Sequence, residues 1–91
     1  MAARKITFDP DCDKAVEALG GYKRLDPTLE AAWDGLMREP RGFPVVQTDW
    51  GSVRYIKTIA IQGVVPALVW LFSIDNQDNV TIFHVEEDTG Y

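Results

Sequence analysis

The sequence predicts a two-layer α+β domain, in which a helical hairpin packs on an antiparallel four-stranded sheet in the order β-α-α-β-β-β. Three observations lead there. The apolar period is two in the first segment, changes to 3.6 across two later ones, and then returns to strand-like runs. Glycine and proline pairs fall where the helices have to stop. The second half of the chain holds three β-prone segments separated by turn residues. Two helices with apolar stripes must bury them together, and one face of the sheet is the surface available.

The elements follow in order. In "RKITFD", Arg4 to Asp9, Ile6 and Phe8 alternate with Lys5 and Thr7, a short strand ended by Asp9-Pro10. Cys12, Ala15, Val16 and Leu19 are then spaced i, i+3, i+4, i+7, one face of a helix. Asp9 or Asp11 caps it and Gly20-Gly21 stops it. For the second helix, Asp26 is the expected N-cap with Pro27 at the first helical position. Leu29, Trp33, Leu36 and Met37 form its predicted core stripe, and Pro40 and Gly42 close it. "GFPVVQTDWG" is a linker with some extended structure, ending in the turn signal Asp49-Trp50-Gly51. Val53 to Gln62, Leu68 to Asp75 and Val80 to Glu86 are the three remaining strands. The second of them, "LVWLFSID", is nearly all apolar, as a strand at the sheet centre requires. "DNQDN" closes the last hairpin. The predicted core includes Leu29, Trp33, Leu36, Leu68, Trp70 and Phe72.

Ninety-one residues make one domain, 46% apolar and 25% charged, which is a globular composition with room for one modest core. The single Cys12 excludes an intramolecular disulfide and any Cys-based zinc site, and reads as a small core residue. "MAARKITFDPD" has no apolar run behind its basic residues, and Val64 to Phe72 is too short to span a bilayer. A cytoplasmic protein without a membrane partner is the expectation. Net charge is −5, and residues 46–91 carry six acids against two bases, Arg54 and Lys57. Affinity for nucleic acid comes largely from cations meeting phosphates, so the chain is not a general nucleic-acid binder. There is no phosphate loop and no metal-ligand spacing, so neither cofactor nor metal is called for. Ser52 and Ser73 lie in no nucleophile context.

The element order and four stretches resemble the RelE/ParE-like toxin superfamily of bacterial toxin–antitoxin systems. "LEAAWDGLMREP" looks like the family's second helix, and "GSVRYIKT" like the strand after the loop. "PALVWLFSIDNQDNVTIFHV" looks like its central hairpin, and the tail ending in Tyr91 is similar to one that often follows. The resemblance covers nearly the whole chain and is one of pattern. It implies a toxin component acting on ribosome-bound mRNA or on a protein target such as gyrase, held by an antitoxin. Members that cut mRNA place an Arg early in the central strand and a basic residue after the last one. Here those positions fall at Ala67 and in Glu86-Glu87-Asp88. Carboxylates would repel the developing phosphoryl charge that such a site has to stabilise.

What remains as candidate catalytic machinery is Tyr55, Lys57 and His84. By strand alternation Tyr55 and Lys57 share a face with Ile59, and His84 shares one with Val80, Ile82 and Glu86; Arg54 and Lys57, three apart, point oppositely. Each has an ordinary alternative as a solvated or packed strand residue. Trp50, Arg54, Tyr55, Lys57, Glu86 and Glu87 are the candidate partner-binding residues, with Trp50 the expected exposed anchor. Three functions stand. The first is a toxin-family protein that works mainly by binding a protein, an antitoxin-like peptide or a cellular target, with an mRNA endoribonuclease as its alternative. The second is a non-toxic binding or inhibitor module from a mobile element. The third is a small enzyme of another class built on Tyr55, Lys57 and His84. A homodimer is left open.

Overall fold

The computed structural model describes residues 5–49 and 51–88. It is an α+β fold of two helices on a five-stranded mixed sheet. The strands are β1 (Ile6–Phe8), β2 (Val45–Thr48), β3 (Gly51–Thr58), β4 (Leu68–Ile74) and β5 (Val80–Glu87), in the spatial order β1-β5-β4-β3-β2. The helices α1 (Pro10–Ala18) and α2 (Tyr22–Arg38) come between β1 and β2, and a 3-10 turn at Pro40–Gly42 ends the helical layer.

Two features differ from the expected four-stranded antiparallel sheet. Val45–Thr48 is a strand and not a linker, pairing antiparallel with the first half of β3. Its alternation is short, and the pairing is supplied by the partner strand. The first strand joins β5 in parallel, with Ile6 opposite Val80 and Phe8 opposite Ile82. The Asn79 side chain accepts from the Lys5 N–H at 3.0 Å, and the Val80 N–H donates to the Lys5 carbonyl at 2.8 Å. No local pattern encodes which edge a three-residue strand will join.

Cross-strand register gives each face its residues. Ile6, Phe8, Ile56, Leu68, Trp70, Phe72, Val80, Ile82 and Val85 face the helices. They meet Cys12 and Val16 of α1 and Leu25, Leu29 and Leu36 of α2. Trp70, on the central strand, is fully buried, and its indole N–H donates to Thr58 Oγ1 at 3.3 Å. The polar end of the largest core side chain is thereby satisfied, which a buried Trp requires.

The second helix starts a turn earlier than Asp26 and Pro27 indicate. Gly21, at φ 93°, precedes it, and Pro27 lies inside it. An internal proline costs about 3 kcal/mol. Against that, Leu25 is fully buried, worth about 1.5–3 kcal/mol. Tyr22 packs edge-on to Phe8 at 5.2 Å, worth about 0.5–1.5 kcal/mol more. The Thr28 hydroxyl also donates to the Leu25 carbonyl at 2.7 Å. Both Leu25 and Tyr22 reach the core only if the helix includes them.

That earlier start rotates the buried stripe. Leu25, Thr28, Leu29 and Leu36 are buried and Ala32 packs beside them, whereas Trp33, expected in the core, is 38% exposed. At 100° per residue Trp33 lies about 80° round the helix from Leu25, on the flank of the stripe.

Leu36→Ala is expected to cost about 2–5 kcal/mol in chemical denaturation, and Trp33→Ala only about 1–2 kcal/mol. Equal losses would put Trp33 in the core after all. Pro27→Ala is expected to raise stability by about 1–3 kcal/mol through the restored helix hydrogen bond. A destabilised Pro27→Ala would mean that the ring packs where the backbone account leaves it idle.

Candidate functional site on the open sheet face

Among the described residues no helix covers the other face of the sheet. Tyr55 and Lys57 of β3 lie there, opposite Leu71 and Val69 of β4, which are in turn opposite His84 and Glu86 of β5. Leu71 is only 7% exposed despite the missing layer, so its neighbours on the face cover it.

His84 reaches this face through an irregularity. Leu71 pairs with His84 and the next residue, Phe72, with Ile82, so Phe83 is an extra residue in β5. A bulge of this kind reverses the alternation beyond it. His84 is therefore not on the face of Val80 and Ile82, as simple alternation indicated; Val85 takes the core position instead.

The candidate catalytic residues share this face without converging. Tyr55 and His84 are separated by β4 and its Leu71, about 10 Å at two strand spacings. His84 lines a shallow concavity of about 650 Å³ with Ser73, Thr81, Phe83 and the carboxylates of Asp9 and Asp11, and neither Tyr55 nor Lys57 lines it. Asp9 is already engaged, since its side chain accepts from the Asp11 N–H at 2.9 Å as the cap of α1.

The partner-binding candidates divide. Arg54 points to the helix side, where its Nη1 donates to the Phe43 carbonyl at 2.6 Å. It ties the start of β2 down and does not join Lys57. Glu86 lies on the open face in the row of Lys57 and Val69, and Glu87 is paired with Leu68 on the opposite parity. Trp50 and Tyr91 lie outside the described residues.

Lys57 is half exposed, with its Nζ 4.0 Å from Asp88 Oδ2. Glu86 is in the same row but two strand spacings away, so the carboxylate close to this ammonium is that of Asp88. Among the described strand residues it is the one Lys or Arg on the open face. The Asp88 contact was missed by the sequence reading, although alternation from Glu86 places Asp88 on the same face. Such a patch presents a phenol, a compensated cation and an apolar floor. That suits polar contact with another protein surface better than a grip on phosphate.

Cys12 is fully buried, and burial pushes its thiol up to about 11 despite a hydrogen bond with Tyr22 that acts the other way. Burial also raises the Tyr22 phenol, helped by its hydrogen bond to Asp13. Neither group is a nucleophile at neutral pH. Among the described residues no His, Cys, Asp and Glu cluster could hold a metal ion, and no helix is long and apolar enough to cross a membrane. Comparison with protein-family models, curated proteins and solved structures finds no match to this chain.

Cys12 in the folded chain is expected to resist thiol reagents at pH 7–8 and to react fully once unfolded. Its raised pKa stabilises the fold below pH 9 and loses that effect as the pH rises towards 11. Cys12→Ala is expected to flatten that part of the stability–pH profile. Rapid labelling of the native protein would show that the helix layer opens far more than this packing allows.

Proposed function

We propose that this chain is a RelE/ParE-like toxin-family protein that acts by binding a protein partner through the open sheet face, with weak or no ribonuclease activity. The observation that carries the reading is the state of Lys57, close to Asp88 and in one row with Glu86. Further support comes from the two positions that the resemblance aligns with basic residues. They meet at the end of the sheet, where the Asp88 N–H donates to the Ala67 carbonyl at 2.9 Å. A methyl group and a carboxylate stand together where a cleaving enzyme would gather cations. The family reading itself rests on the element order and the quoted stretches. Two helices lie between a first edge strand and an antiparallel run of strands, and the apolar β4–β5 hairpin is closed by Asp75 to Asn79.

On this reading the partner is an antitoxin-like peptide or a cellular target protein. Tyr55 supplies a ring and Lys57 a cation to it, while Leu71 and Val69 form the floor between strands. Interface energy concentrates in a few such anchors.

Expression in a bacterial host is expected to arrest growth, and the product of an adjacent reading frame to relieve the arrest and to co-purify. Tyr55→Ala and Lys57→Ala are each expected to weaken that complex about tenfold or more, about 1.4 kcal/mol, with the fold intact. Cleavage of ribosome-bound mRNA by the purified chain, lost in Tyr55→Ala or Lys57→Ala, would establish the endoribonuclease instead. Unchanged growth together with stable partner binding would favour the non-toxic module.

A further inference from the structure

Away from the open face, on the flank of the helix layer, α2 and β1 enclose a second surface with its own chemistry. Trp33 stacks on Phe8, with ring centroids 6.4 Å apart and planes 17° from parallel. Phe8 is held in turn by the edge of Tyr22, whose hydroxyl donates to Asp13 at 2.5 Å. The aromatic wall is thus pinned from behind while the Trp33 side remains open to solvent. Phe8, Leu29 and Trp33 line a cleft of about 450 Å³ whose other lining residues are Asp26 and Glu30.

The two carboxylates are the informative part. Asp26, Glu30 and Trp33 are spaced i, i+4, i+7, so they follow one side of the helix. Like charges at i, i+4 repel, and neither group has an ion pair or hydrogen bond among the described residues. On the same helix, Asp34 and Arg38 use that spacing for a paired interaction at 3.0 Å. Lys23, one turn before Asp26, pairs with neither carboxylate. An open indole face beside two uncompensated carboxylates meets the requirements of a cation. The ring quadrupole attracts it, the carboxylates accept its hydrogen bonds, and the repulsion between them is relieved.

We propose that this cleft binds the guanidinium of an arginine on a basic segment of a partner protein. Charge complementarity selects the occupant. Arginine is planar, stacks on an aromatic ring and offers several donors in one plane, whereas lysine offers a point charge that prefers its hydration. Phosphate-bearing ligands are repelled, and a bare metal ion finds two carboxylates and no third ligand among the described residues. The net charge of −5 draws a basic segment toward the chain before contact. This surface is separate from the Tyr55 and Lys57 face and does not depend on the toxin reading.

The test uses the full chain and a short arginine-containing peptide, with the same peptide carrying citrulline, a neutral isostere, at each arginine. The readout is the Trp33 indole N–H resonance, assigned with Trp33→Phe. The expected result is a saturable shift of that resonance, at least tenfold weaker binding of the citrulline peptide, and intermediate binding of a lysine version. Asp26→Asn with Glu30→Gln, both exposed and away from the core, is expected to weaken binding tenfold or more with unchanged stability. Tyr55→Ala with Lys57→Ala is expected to leave it unaltered. No saturable shift at Trp33, equal binding of the citrulline peptide, or insensitivity to the carboxylate substitutions would overturn the proposal. So would a Trp33 signal that moves with protein concentration alone, because the cleft would then be filled by a second copy.

Discussion

The bulge at Phe83 lets β5 present Ile82 and Val85 to the same core, although they are three positions apart and regular alternation would place them on opposite faces. Trp70 is opposite Val85 and Phe72 is opposite Ile82, so both large aromatic side chains of the central strand find apolar neighbours because of this one extra residue. Without it, regular alternation would turn Val85 out of the core and put the polar His84 in its place. The same residue puts His84 on the open face. Core packing and the composition of the candidate site are therefore consequences of one local feature of the backbone.

The start of α2 shows a comparable dependence. Pro27 and Asp26 have the local chemistry of a helix beginning, but the contacts that Leu25 and Tyr22 make as helical residues offset what the proline costs. Arg24 then reaches across the layer, donating from Nε to the Val64 carbonyl at 2.6 Å and from Nη1 to the Leu19 carbonyl at 2.7 Å. Gly20 makes room for it, since a Cβ there would sit 2.6 Å from the Arg24 Cδ. One helix turn thus ties α1, α2 and the β3–β4 connection together. It also releases Asp26 from a capping role and turns Trp33 outward.

Charge is distributed differently on the two sides of the molecule. On the open face the one strand cation is compensated, and ion pairs at this exposure contribute about 0–1 kcal/mol, so Lys57 is shielded more than it is fixed. Arg41 and Asp78 pair at 2.6 Å between the 3-10 turn and the β4–β5 hairpin, also at the surface. On the helix flank Asp26 and Glu30 have no such partner among the described residues. A net charge of −5 attracts basic groups and repels phosphates.

The sequence by itself determined the α+β class, the existence of both helices, the apolar central strand and the closing hairpin, because each rests on a period or a turn signal carried by adjacent residues. It also placed Tyr55 and Lys57 together, since two residues on one regular strand share a face. Tertiary structure alone decided the parallel docking of β1, the pairing of β2 and the early start of α2. These follow from contacts between residues distant in sequence, whose energies outweigh the local preferences of Val45 to Thr48 or of Asp26-Pro27. It also decided where His84 points and that Trp33 is exposed. The inserted residue has no signature in spacing, and the place of Trp33 about 80° round the helix from Leu25 matters only because tertiary contacts put Leu25 in the helix and in the core.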